Sequence, residues 1–183
     1  RPAGRRRQRI EAAGGDARRV GVLAVTKGFG PDAVEAALAA GLNEIGENYG
    51  QELTAKAATV GPAPALRWHL IGPVQRNKVG RLAAVVAAWD AVDRRVAGEA
   101  IARYAPGASV LVEVNTTDEP GKAGCAPGEA PALVDALRRL GLDVRGLMTI
   151  GHRERPDGAR AAFAALRELA AGLGLAELSM GMS

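Results

Sequence analysis

The sequence predicts an α/β fold, a (β/α)8 TIM-type barrel whose last β/α unit is absent from the chain of 183 residues. Three observations lead there. Short runs rich in Val, Ile and Leu alternate with stretches of helical period along the whole length. Such β-then-α repetition implies parallel strands joined by right-handed crossovers. No linker breaks the series, and its evenness favours a barrel over an open sheet. The count stops near seven strands, where a barrel of this type needs eight. The chain also begins without Met, so it is expected to be less than a whole gene product.

The elements follow in order. Residues 1–19 are expected to form a basic helical segment, and 20–183 the barrel. Val20–Thr26 reads as the first strand. Pro31 opens a helical pattern, D-A-V-E-A-A-L-A-A, which Gly41 closes. N-E-I-G-E-N is a short second strand, followed by a helix over about 50–59. G-P-A-P is a turn, L-R-W-H-L-I-G the third strand, and a helix covers about 77–86. A-W-D-A-V-D gives the fourth strand and R-R-V-A-G-E-A-I-A-R-Y its helix. S-V-L-V-E-V-N, rich in β-branched residues, is the clearest strand. A long loop, T-T-D-E-P-G-K-A-G-C, leads to a helix over about 127–140. V-R-G-L-M-T-I is the sixth strand, 157–173 a long helix, and A-E-L-S-M-G-M-S begins the seventh strand.

Composition narrows the classes of function. Apolar residues make up 48% but aromatic ones only 3%, so the core must be built from Ala, Val and Leu. The net charge of +4 owes much to R-P-A-G-R-R-R-Q-R at the start. That run is a solvated face or a phosphate-binding arm; no aromatic platform accompanies it, so nucleic acid is not the expected partner. The lone Cys125 cannot form an internal disulfide, and a reducing, cytoplasmic setting is expected. No signal peptide and no apolar stretch of membrane-spanning length is read, so no membrane partner is expected. The two histidines and one cysteine lie far apart and make no recognisable metal site.

In barrels of this kind active sites lie at the carboxyl ends of the strands. The unusual polar residues collect there. Lys27 ends the first strand, Glu47 and Asn48 the second, Asn115 the fifth, and Met148 and Thr149 the sixth. Leu23, Val25 and Lys27 alternate onto one face. If that face is the barrel interior, desolvation lowers the amine pKa, and a neutral amine is what a carbonyl needs to form a Schiff base. Read alone, Lys27 is equally a strand-end lysine reaching solvent along its methylene stem. In S-M-G-M-S, Ser179 and Ser183 flank Gly181 where phosphate grips of such barrels lie. Read alone, that segment is equally a simple turn. The pair together suggests an aldehyde bearing a phosphate, and pyridoxal 5′-phosphate fits both demands. Asn48 contacts such a cofactor or caps the next helix. His69 stacks on or hydrogen-bonds near its ring, or is satisfied within the sheet. Lys122 and Lys78 are secondary aldehyde acceptors in exposed contexts, and Cys125 is an ordinary thiol.

Seven motifs occur in order: A-V-T-K, G-E-N-Y-x-Q-E, W-H-L-I-G-x-x-Q-x-N-K, V-E-V-N, K-A-G, G-L-M-T-I and L-S-M-G-M-S. Together they resemble the pyridoxal-phosphate homeostasis proteins, relatives of the barrel domain of alanine racemase. The resemblance implies a barrel carrying pyridoxal phosphate on Lys27, with Ser179 and Ser183 at the phosphate and Met180 beside them. It implies that Asn48 and Met148 line the cofactor pocket. Such proteins continue past S-M-G-M-S with a last strand and a V-R-I-G-like segment that supplies an arginine near the pyridine nitrogen.

The resulting expectation is a cofactor-binding protein of vitamin B6 and amino- and keto-acid balance, without robust turnover. It would be a monomer when full-length and would hand pyridoxal phosphate to recipient apo-enzymes. In alanine racemase-like enzymes a tyrosine from a second domain supplies the other acid/base. Here only Tyr49 and Tyr104 exist, and alternation points Tyr49 away from Asn48. The alternatives are an amino-acid racemase or lyase that uses the cofactor, and a nucleic-acid-associated protein acting through the arginine-rich start.

Overall fold

The computed structural model describes residues 8–117, 119, 121–151 and 156–181. Seven strands form one all-parallel sheet in sequential order. They are β1 (Ala24–Val25), β2 (Glu44–Glu47), β3 (Arg67–Leu70), β4 (Val86–Val92), β5 (Ser109–Glu113), β6 (Asp143–Ile150) and β7 (Glu177–Gly181). Between them run α1 (Pro31–Ala39), α2 (Gly50–Val60), the short α3 (Val79–Leu82), α4 (Arg95–Tyr104), α5 (Ala130–Arg139) and α6 (Pro156–Gly172). Strictly sequential parallel pairing, with a helix between each pair of successive strands, is the connectivity of a TIM-type barrel. The expected fold class stands, with seven strands among the described residues.

The sheet divides the interior into two unequal cores. Outside it, Ile45, Leu53, Trp89, Ile101, Leu137, Leu147 and Leu166 are fully buried between strands and helices. Each such side chain contributes about 1.5–3 kcal/mol of transfer free energy, so this layer dominates stability. Helix periodicity puts these residues in place: Leu133, Val134 and Leu137 form the buried stripe of α5. Inside the sheet a much smaller cluster gathers Ala91, Leu111 and Met148, with Ile150 alongside. A register shift between Trp89 and Val92 lets the consecutive residues Asp90 and Ala91 both serve this inner face.

Some boundaries differ from the sequence reading. The first strand shrinks from Val20–Thr26 to two residues, because β1 pairs with β2 only at Ala24↔Ile45 and Val25↔Gly46. The helix expected over 77–86 is instead a 3-10 turn, Arg76–Lys78, followed by α3, which ends at Leu82. The strand claims Val86, whose backbone pairs with Trp68 and whose side chain enters the outer core. The helix expected from residue 127 starts at Ala130. Before it the Glu129 carboxylate accepts from the Ala126 N–H at 2.9 Å and organises a turn. Of the expected basic segment, 1–7 lie outside the described residues, 8–12 are helical, and Ala17–Arg19 forms a 3-10 turn.

Candidate functional site

β1 runs into a tight turn that carries Lys27. The Thr26 N–H donates to the Gly46 carbonyl at 3.1 Å, extending the ladder one residue. The Phe29 N–H then donates to the Thr26 carbonyl at 3.1 Å, closing a four-residue turn. Gly28, third in that turn, has φ of 75°, the left-handed conformation that a type II turn needs and glycine supplies without strain. The Thr26 side chain is buried in the outer layer against Glu47. Alternation therefore turns Lys27 to the inner face with Val25, and Lys27 is half-buried.

Behind this turn lies a polar group of four residues, three of them buried, that the sequence reading missed. The Lys56 ammonium, on α2, donates to the Thr26 carbonyl at 2.7 Å and to Glu47 Oε1 at 2.6 Å. The Thr26 hydroxyl donates to the same Glu47 oxygen at 2.5 Å. The Glu52 carboxylate accepts from the Gly28 N–H at 3.3 Å and lies 3.9 Å from Lys56. Glu47 is fully buried, and its second oxygen, Oε2, has no hydrogen-bond partner among the described residues. The signal in the sequence was Lys56 itself, a lysine three residues after Leu53 on the apolar stripe of a helix. Such a position forces the charge to find partners in the core.

Asn48 follows Glu47 off the end of β2 and is partly buried. It packs directly on Gly72: a Cβ there would lie 2.7 Å from Asn48 Oδ1 and collide with the Asn48 carbonyl oxygen. The W-H-L-I-G motif thus ends on glycine because the neighbouring strand end occupies the space.

His69 lies mid-strand, level with Gly46 and Ala88. Both ring nitrogens are engaged, Nδ1 with Asp90 Oδ2 at 2.8 Å and Nε2 with Glu44 Oε2. Burial works against the imidazolium, but the hydrogen bonds and charges of Asp90 and Glu44 outweigh it and raise the pKa. Of the two alternatives open for this histidine, the contacts match satisfaction within the sheet.

On the other side of the inner face, Met148 is level with Glu113 on one neighbour and Ser179 on the other. Ser179 shares this face and is partly buried, whereas alternation turns Met180 outward, where it is exposed. What Met180 can offer the inner face is its backbone. Ser183 lies outside the described residues. Burial, with the nearby Asp93 charge, pushes the Glu113 carboxyl up to about 7, while Lys122 pulls the other way. No hydrogen bond to that carboxyl is found among the described residues.

Lys122 corrects the sequence reading, which put it in an exposed context. Its ammonium donates to Thr117 Oγ1 and Glu119 Oε2 at 2.9 Å, and to the carbonyls of Ile150 at 2.5 Å and Gly151 at 3.2 Å. It ties the loop after β5 to the end of β6. Lys78 is partly buried too. Cys125 is buried, and burial with the Glu129 charge raises its thiol to about 11, as an unreactive thiol requires. Among the described residues no group of three or more His, Cys, Asp and Glu could hold a metal ion, and no helix is long and apolar enough to cross a membrane.

Residues 6–183 match the family described as alanine racemase, N-terminal domain. The pyridoxal phosphate homeostasis protein of Pseudomonas aeruginosa is 43% identical over 189 residues, spanning 99% of this chain and 82% of the relative. The chain belongs to the pyridoxal phosphate homeostasis protein family. A second member, from Deinococcus radiodurans, is 39% identical over 93% of this chain and 82% of its own length. Among solved structures, PipY of Synechococcus elongatus with PLP bound superposes with a TM-score of 0.81 at 33% identity, covering 90% of this chain and 82% of that one. Alanine racemase from Corynebacterium glutamicum shares the fold, with a TM-score of 0.66 at 16% identity, over 98% of this chain and 58% of that one. In this pyridoxal phosphate homeostasis family member, Lys27, Asn48, Met148 and Ser179 all stand at the carboxyl ends of the strands, on or beside the inner face.

Proposed function

We propose that the chain binds pyridoxal 5′-phosphate at this rim, holds it covalently on Lys27, and serves vitamin B6 and amino- and keto-acid homeostasis without robust turnover. The supporting observation is the Lys27 turn, half-buried at the carboxyl end of β1 and turned toward the inner face. The homeostasis names of the relatives and the PLP-bound PipY structure support the ligand.

The residues present fit such a group. On the inner face near Lys27 the apolar Leu23 and Ile71 side chains close over Gly46, and Gly72 leaves no Cβ beside Asn48. When bound, the cofactor would supply an aldehyde carbon for Schiff-base chemistry, and Lys27 would present the amine that holds it. Asn48 and Met148 line the pocket. Ser179, the Met180 backbone and Ser183 meet the phosphate. Both histidine nitrogens are taken, so His69 contributes to the pocket wall rather than donating to the ligand. The expected holder is a cytoplasmic monomer that hands the cofactor to apo-enzymes.

Absence of robust turnover is supported by the two tyrosines, Tyr49 and Tyr104, which are 58% and 50% exposed. Tyr104 lies at the end of α4 with its ring against Gly80 of α3. One observation favours the racemase or lyase reading instead: the Glu113 carboxyl, at about 7, lies in the range a general acid/base needs.

The deciding test uses the purified full chain with pyridoxal phosphate. An absorbance band near ~420 nm is expected, fixed on Lys27 by borohydride and lost in Lys27→Ala. Covalent capture undiminished in Lys27→Ala sinks the proposal. Racemisation of L-amino acids, followed by optical rotation and abolished by Glu113→Gln, would establish the enzymatic alternative.

A further inference from the structure

We infer that Glu52 and Lys56 are positioning residues for Lys27: from one side of α2 they hold the two peptide groups that flank it and so fix the direction in which its amine leaves the chain. This inference rests on the reading of Lys27 as the condensing amine.

The planes of two successive peptide groups define φ and ψ of the residue between them. For Lys27 those groups are Thr26–Lys27 and Lys27–Gly28. The carbonyl of the first accepts from Lys56 Nζ at 2.7 Å, and the N–H of the second donates to Glu52 Oε2 at 3.3 Å. Both holders come from α2, four residues apart and therefore on one face of the helix. A lysine side chain has four rotatable bonds, so an unfixed root would spread its amine over many positions. Fixing the root shrinks that volume and holds the nucleophile near its target.

The holder is itself rigid. The Lys56 side chain is 6% exposed and that of Glu47 is fully buried, at 2.6 Å from one another. Glu47 alone would satisfy the ordinary need of a buried ammonium for a counter-charge. Lys56 donates in addition to the Thr26 carbonyl, which already accepts from the Phe29 N–H in the turn. The Thr26 side chain is drawn into the same group through Glu47 Oε1. The contacts of Lys56, Glu47 and Glu52 reach the turn from the outer layer.

Two variants of the full chain test this: Glu52→Ala, at a half-exposed position, and the double variant Glu47→Gln with Lys56→Met, which removes the buried charges together. Four readouts are taken: amide hydrogen exchange at Gly28 without cofactor, thermal midpoint, Kd for pyridoxal phosphate, and the fraction fixed on Lys27 by borohydride. Both variants are expected to stay folded, to exchange Gly28 faster and to lose about tenfold in Kd and in capture rate. Glu52→Gln, whose amide oxygen still accepts from Gly28, is expected to recover most of the loss. If the double variant does not fold, Glu52→Ala and Glu52→Gln carry the test. Gly28 exchange and cofactor capture within twofold of the parent in Glu52→Ala overturn the inference. A parent protein that captures no pyridoxal phosphate on Lys27 overturns the proposed function first, and this inference with it.

Discussion

His69 stands between two carboxylates, its Nδ1 2.8 Å from Asp90 Oδ2 and its Nε2 on Glu44. Burial opposes the imidazolium and the two acids overcome that opposition, so the folded-state pKa rises above 6.5. A raised pKa adds stability that is complete below the unfolded value and disappears as pH climbs through the folded one. His69→Gln is therefore expected to cost more at about pH 6 than at about pH 9, by roughly 1–2 kcal/mol. Urea unfolding at the two pH values, with an NMR titration of the ring in the parent, checks both size and sign. An equal cost at the two pH values would remove the ionic role.

Glu113 should behave in the opposite sense when replaced. Its carboxyl is raised from 4.5 to about 7, chiefly by burial. Ionisation is therefore unfavourable in the folded state, and the penalty grows between about pH 4.5 and 7 before levelling off near 3 kcal/mol. Glu113→Gln is expected to be stabilising by roughly 1–3 kcal/mol at about pH 8.5 and by much less at about pH 5. Urea midpoints for both proteins at the two pH values decide it.

Gly72→Ala introduces a methyl group where the Asn48 backbone stands. The ends of β2 and β3 must separate to admit it. A cost of roughly 1–3 kcal/mol is expected, with weaker capture of pyridoxal phosphate because Asn48 is displaced. The thermal midpoint and borohydride trapping read the two effects separately.

Lys122→Met removes two donated hydrogen bonds within the loop after β5 and two from it to the end of β6. The expected cost is about 1–3 kcal/mol, expressed as faster proteolysis of the loop around residues 115–124. Limited proteolysis with mass mapping of the nicks tests it. A cleavage pattern matching the parent would show that Lys122 does not hold the loop.

Strand order and the rim were legible because local rules suffice for them. V-L-V in β5 and the helical stripe of α5 each name their element without reference to anything distant. Lys27 was legible for the same reason: a charged residue ending an apolar alternation is a local anomaly. The four-residue group behind it was not, since Glu47 and Lys56 meet only through the docking of α2 on the sheet. The pairing of His69 with Glu44 and Asp90 likewise depends on three strands coming into register. The end of the helix after β3 was misjudged because Val85 and Val86 continue an apolar pattern that helix and strand share, and pairing with Trp68 decided for strand.

Thr26, Glu47, Glu52 and Lys56 hold the peptide groups beside Lys27 from the far side of the sheet. Under the proposed function, placement of the amine and recognition of the ligand fall to separate sets of side chains. Such a division makes the scaffold evolvable: residues lining the cavity can drift toward new carbonyl compounds while the reactive amine keeps its station.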